Sequence, residues 1–198
     1  MRGYGYRLIL PVILGVIAMG CAAKAPLVQK DLEKSTARVI AVLPVDNKTQ
    51  DVKAPEMLRS KILEELYFKG YTKLPLEMID QKLATSYYNE KKSGTGLVAP
   101  QVVKELVGAD AVMYCTLTEG QHPVSLFYAP VTVAARCELR SAQTGAVLWN
   151  AQSRLTSRNF DFTSKRLEMK SREAFEAVME EVVNKVMETL PDGPNLRG

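Results

Sequence analysis

Apolar and polar positions change period several times along this chain, and each change marks an element. Residues 38–45, Arg-Val-Ile-Ala-Val-Leu-Pro-Val, form a near-continuous apolar run rich in β-branched side chains. That is the pattern of a strand buried on both faces. Asp46, Asn47, Lys48 and Thr49 follow with turn chemistry. Behind Pro55, which suits a first helical turn, Leu58, Ile62, Leu63 and Leu66 recur at helical spacing, and Gly70 supplies a C-terminal stop. Residues 71–74 read as a short strand ended by Pro75, and Leu76, Ile79, Leu83 and Tyr87 as one face of a second helix. A polar, Gly-containing loop is expected over 89–96, then a short helix over 100–107 with Val102, Val103 and Leu106 inward and Gly108 at its end.

From Ala109 the period becomes two. Ala111, Met113, Cys115 and Leu117 face one way, and Tyr114, Thr116 and Thr118 the other. A connection with Phe127 and Tyr128 at its tip spans 120–130. Val131, Val133, Ala135, Cys137 and Leu139 then alternate with Thr132, Arg136, Glu138 and Arg140. After a tight turn at Gln143, Thr144 and Gly145 comes a strand over 146–156, with Val147, Trp149 and Leu155 on one side. These three segments predict an antiparallel meander. Residues 157–164 read as irregular. Phe175, Val178, Met179, Val182, Val183, Val186 and Leu190 make a wide apolar stripe on a long C-terminal helix, with Glu173 and Glu176 near its start, and Pro191 ends it. The order β-α-β-α-α-β-β-β-α predicts an α/β fold with a mixed sheet: crossover strands first, a meander after, helices packed against it.

The first twenty residues follow a different logic. Arg2 and Arg7 form a basic head, residues 8–18 are apolar, and Ala18-Met19-Gly20-Cys21 closes the run. Eleven apolar residues fall short of the roughly 20 a spanning helix needs. The order resembles a bacterial lipoprotein signal peptide ending in a lipobox, with Cys21 as the lipidated residue and 1–20 removed. Ala18 stands where such peptides usually carry Leu. Ala22, in place of the Asp that retains enterobacterial lipoproteins in the inner membrane, points to the periplasmic face of the outer membrane. Residues 21–37 then read as the lipidated Cys and a flexible tether, 38–190 as one globular domain, and 191–198 as a tail.

Composition narrows the function classes. The chain has 198 residues and a formal charge of +4. Losing Arg2 and Arg7 with the leader brings it to about +2. Near-neutrality and the lack of a basic run longer than two residues set nucleic acid aside as a partner.

Ile40-Ala-Val-Leu-Pro44 with Asp46-Asn47, then Gly108-Ala-Asp-Ala111, then Thr144-Gly145 followed by Leu148-Trp149, carry a family likeness over about residues 38–190. The chain resembles a bacterial lipoprotein family of unknown function typified by a neisserial surface lipoprotein. The resemblance implies a fold similar to the N-terminal domain of TolB. Relatives by fold are CsgG, the curli secretion lipoprotein; PelC; and LpoB, the activator of a peptidoglycan synthase. The family implies no enzymatic activity and no catalytic residues to carry over. Its genes often neighbour a CsgG-like gene, which implies an accessory envelope role. The long membrane-inserting β segments of CsgG have no counterpart here.

The residues themselves offer little catalytic chemistry. His122 is the only histidine, between Gln121 and Pro123 and away from any Gly-x-Ser-x-Gly. No ligand set at metal spacing appears, no cofactor is expected, and Gly94-Thr95-Gly96 lacks the strand and glycine spacing of a phosphate loop. Glu64-Glu65 and Glu180-Glu181 are helix neighbours that do not converge, hence solvated faces. Cys115 and Cys137 share the apolar register of adjacent strands in an oxidising compartment. They are two buried thiols acting as small hydrophobes, a cross-strand disulfide, or a reactive thiol, and register decides among these. Tyr87, Tyr88, Phe127 and Tyr128 are candidate interface residues, with local packing as the plainer alternative. The expectation is therefore a non-catalytic, lipid-anchored binding module of an envelope complex serving secretion or cell-envelope assembly. A homo-oligomeric subunit of a secretion assembly and an LpoB-like activator are the alternatives.

Overall fold

Two short strands, Ile40–Val42 (β1) and Asp46–Asn47 (β2), lie parallel to one edge of a long central strand, Ala111–Gln121 (β3). The computed structural model describes residues 37–93 and 97–196. On the other edge of β3, Tyr128–Ser141 (β4) and Val147–Phe160 (β5) continue the sheet antiparallel, in the order β1-β3-β4-β5. Three helices fill the crossover from β2 to β3: Ala54–Phe68 (α1), Leu76–Ser93 (α2) and Pro100–Val107 (α3). Ser164–Met187 (α4) follows β5. The expected mixed sheet with an antiparallel meander and a long C-terminal helix is present.

Alternation along the strands divides the apolar core in two. Ile40 and Val42 of β1, Met113, Cys115 and Leu117 of β3, and Val133 and Leu139 of β4 face α1 and α4. Ala41, Leu43 and Val112 face the other way, against Ile79 and Leu83 of α2 and Val103 of α3. Full burial of a side chain such as Ile62 or Leu139 stabilises by about 1.5–3 kcal/mol. The α2/α3 layer stops at β3, leaving the same face of β4 and β5 without a helical cover among the described residues.

Several boundaries differ from expectation. The first strand is only three residues, although Leu43 N–H still donates to Met113 O (3.1 Å) just beyond it. Asp46 and Asn47 pair with Thr116 and Leu117 as β2 instead of simply turning, while Thr49 N–H and Oγ1 donate to Asn47 Oδ1 (2.9 and 2.8 Å) just after it. Residues 71–74 contribute only an isolated bridge, Val39 to Thr72. α2 continues through 89–93, where a loop was expected. Leu106 is exposed on α3. Tyr128 opens β4, and β5 runs on to Phe160 through a stretch read as irregular. α4 starts at Ser164, well before Glu173.

α3 ends where expected: Gly108 takes a left-handed φ of 80° and its N–H donates to Lys104 O. Residues 191–196, expected as a tail, return to the end of α1. Tyr71 Oη donates to Pro191 O (2.9 Å), Lys69 Nζ donates to Leu190 O (2.8 Å), and Gly193 lies so close to Gly70 that a Cβ would collide with its carbonyl. The leader, Cys21 and 22–36 lie outside the described residues, as do Gly94, Thr95 and Gly96.

Candidate functional site

The exposed apolar surface concentrates at one end of the sheet. β3 leaves the sheet at Gln121, and the chain returns through a turn in which Ser125 N–H donates to Tyr128 O (2.8 Å). β5 ends beside it, where Asp161 N–H donates to Phe127 O and Asn159 Nδ2 donates to Ala129 O. The two crossings bring four aromatic rings together. Phe127 and Phe162 have centroids 6.2 Å apart, and Tyr128 and Phe160 lie 4.8 Å apart at 32°. Leu126 is 74% exposed, Phe127 50%, Phe160 64% and Phe162 92%. Isolated exposed apolar residues are ordinary, but a grouped set of large ones marks a contact surface.

Phe127, Phe160 and Phe162 border a cleft of about 430 Å³ whose polar wall is Asp161, Arg166 and Lys170. Asp161 orders the turn into α4. Its Oδ1 accepts the Thr163 N–H (3.2 Å), its Oδ2 accepts from Lys170 Nζ (2.7 Å), and Lys170 also donates to Phe160 O. The Lys170 hydrogen bond, helped by the Thr163 amide, pulls the Asp161 carboxyl down to about 2. Lys170 pairs with Asp161, and Arg166, which adds a weaker pull on that carboxylate and has no ion pair of its own among the described residues, lies beside the phenylalanines, so the cleft suits an apolar anchor next to an anionic group.

Phe127 and Tyr128, singled out from sequence, thus join Phe160 and Phe162, which were missed. A usable signal existed: Phe160 and Phe162 continue the two-residue alternation of the outward positions Arg154, Thr156 and Arg158. Tyr87 and Tyr88 are placed elsewhere. Tyr87 packs in the α2/α3 core beside Tyr114, its hydroxyl buried without a hydrogen-bond partner among the described residues, and burial raises its phenol above the ordinary tyrosine range. Tyr88 is 71% exposed, with no ring contact to Phe127 or Tyr128 among the described residues.

Cys115 and Cys137 stand directly opposite in the β3–β4 register, Cα atoms 4.1 Å apart, and the sulfurs are bonded. Both are buried in the α1/α4 core. His122 packs edge-on against Phe175, and its Nε2 lies 3.7 Å from Asp51 Oδ2. No serine or cysteine nucleophile is joined to that pair by a hydrogen bond among the described residues. No group of three His, Cys, Asp or Glu that could hold a metal occurs among them either, and none of their helices is long and apolar enough to cross a membrane. Cys21 is outside the described residues.

Comparison with known proteins adds the following. A protein-family model with the description "Putative lipoprotein GNA1162-like" matches residues 29–194. A Neisseria meningitidis serogroup B protein, "Putative lipoprotein NMB1124/NMB1162", is 24% identical over 189 residues, spanning 92% of this chain and 83% of that protein. The crystal structure of lipoprotein GNA1162 from Neisseria meningitidis superposes with a TM-score of 0.47 at 22% identity, over 70% of this chain and 96% of that one. A PelC variant from Paraburkholderia phytofirmans, solved as a dodecamer, superposes with a TM-score of 0.54 at 18% identity, over 80% of this chain and 91% of that one. At that identity the likeness to PelC is one of fold.

Proposed function

This chain belongs to the GNA1162-like lipoprotein family, and on that premise we propose that it is a non-catalytic binding module of the bacterial envelope. Its domain is held at the periplasmic face of the outer membrane by a lipid on Cys21. It docks an envelope protein complex, of secretion or cell-envelope assembly, through the aromatic end of its sheet.

One observation carries this reading: chain entry and aromatic cluster lie at opposite ends of β3. Ile40 pairs with Ala111 at the start of that strand, whereas Phe127 and Phe160 lie beyond its last residue, Gln121. The eleven residues between span about 35 Å. A domain held from its N-terminal end therefore presents Phe127, Phe160 and Phe162 away from the anchor. Such an end, with large exposed rings and a basic wall, has the composition of an interface hot spot. The fold shared with PelC, which is solved as a dodecamer, supports adding self-association to the reading.

The test is capture in intact cells. A photo-crosslinking residue at Phe162 should trap one discrete set of envelope proteins, and Phe127→Ala with Tyr128→Ala should weaken that capture while leaving the melting transition cooperative. Undiminished capture by the double variant would remove this end as the interface. A peptidoglycan synthase among the trapped proteins would select the activator alternative, and secretion components the assembly one.

A further inference from the structure

The sheet face that α2 and α3 leave uncovered is basic. On β4 and β5 it carries Arg136, Arg140, Arg154 and Arg158, against two carboxylates, Glu138 of β4 and Glu119 at its β3 border. Arg154 is paired with Glu119, and Arg140 with Glu138. Arg136 and Arg158 are exposed and have no ion-pair partner among the described residues.

On the opposite side of the molecule the C-terminal half of α4 is acidic, whereas its first turns carry Lys165, Arg166, Lys170 and Arg172. α4 lies antiparallel to β5, with Lys170 Nζ at Phe160 O and Trp149 Nε1 donating to Thr189 Oγ1 (3.0 Å) at the other end. Between residues 173 and 188 its solvent side presents Glu173, Glu176, Glu180, Glu181 and Glu188 against the single Lys185. Glu181 is paired with Lys185 and Glu180 with Lys61 of α1, whereas Glu176 and Glu188 are unpaired among the described residues. This stripe is about 20 Å long at helical rise.

We propose that the uncovered β4–β5 face receives the α1/α4 helical face of a second copy of this chain. This rests on the self-association part of the function proposed above and assigns it two surfaces. Charge and shape both favour that occupant. The acidic stripe and the arginines lie back to back across one sheet and overlap along its length, so a copy stacked in the same orientation brings opposite charges together without rotation. The uncovered face is also a step beside α2 and α3, about one helix diameter (~10 Å) deep, into which a helical layer fits. A contact between two different faces is heterologous, so it propagates and closes into a ring when each copy turns by a constant angle. Electrostatic complementarity of this kind sets register and encounter rate more than affinity, and it weakens with salt.

The test uses the full lipidated chain in detergent, followed by sedimentation. Wild type should assemble at about 50 mM salt, with the midpoint concentration rising about tenfold or more at 0.5 M. Arg136→Glu with Arg158→Glu should be monomeric at low salt, as should Glu176→Lys with Glu188→Lys. An equimolar mixture of the two double variants should assemble again, because the reversed faces complement each other. A monomeric wild type, assembly indifferent to both pairs, or a mixture that stays monomeric overturns the proposal. Photo-crosslinking from Phe162 in the arginine variant separates the two readings: capture retained while assembly is lost leaves the aromatic end as an independent docking site.

Discussion

Arg59 and Asp80 meet through two hydrogen bonds, Nη1 to Oδ2 and Nη2 to Oδ1, both 2.8 Å, and the same guanidinium donates from Nε and Nη2 to the carbonyl of Val42. Arg59 is buried, whereas the Asp80 side chain is half exposed. One side chain thus fastens α1 to α2 and closes the last carbonyl of β1. A buried guanidinium is tolerated because its donors are aimed at a carboxylate and a carbonyl.

Asp80→Ala leaves that guanidinium without its counter-charge and should destabilise the domain by about 2 kcal/mol, moderated by solvent at the open side of the pair. Arg59→Ala should cost more, since Val42 O then loses both side-chain donors. Guanidinium chloride unfolding of the two variants checks the order; equal midpoints to wild type would show the clamp to be unimportant.

The lipidation reading makes its own prediction. Cells fed labelled palmitate should incorporate it into this protein, and Cys21→Ser should abolish the label. Label retained on the Ser variant would refute the assignment of Cys21.

The Cys115–Cys137 bond closes a short loop, with a sequence separation of 22. In the chain-entropy account, a loop of that size restricts the unfolded state by about 3 kcal/mol. Unreduced, denatured protein should show no free thiol from this pair, and reduction should lower the unfolding midpoint accordingly. Two titratable thiols would contradict the bonded register.

Acid should loosen the aromatic end first. The folded-state value of Asp161 lies at about 2, below its ordinary 3.8, so its contribution is whole above pH ~4 and fades as pH falls through about 2. Lys170→Met removes the largest cause of that depression. Carboxyl chemical shifts followed by NMR should place Asp161 of the variant closer to its ordinary value; no change on Lys170→Met would disprove the pairing in solution.

Interface assignment separates two exposed aromatics. Phe162→Ala should weaken partner capture by about 2 kcal/mol if it is a hot spot, while Tyr88→Ala, remote from the cluster, should leave capture unchanged. Reversed effects would move the docking surface to α2.

Some of this molecule is legible residue by residue. The two-residue alternation around Met113, Cys115, Val133 and Leu139 announces strands and the face they bury. The stripe from Phe175 to Leu190 announces α4 and its inward side. Gly108 announces the end of α3 because a left-handed cap is a local property of the backbone. The leader expected from Arg2, Arg7 and Cys21 lies outside the described residues and rests on the palmitate experiment. Periodicity and capping need only neighbours in sequence, so sequence carries them.

Pairing between distant segments is decided by packing. Asp46 and Asn47 look like a turn and become β2 because β3 offers them an open edge at Thr116 and Leu117. Cys115 meets Cys137 only once the register slides to its final place, and a one-residue slip would have sent one sulfur to the opposite face. Phe160 and Phe162, outside the stretch read as strand, reach Tyr128 and Phe127 because β4 and β5 run equally long beside each other. The uncovered arginine face exists because α2 and α3 stop at β3. Each of these depends on where a third element sits, and the free energy that places it is summed over contacts far apart in the chain.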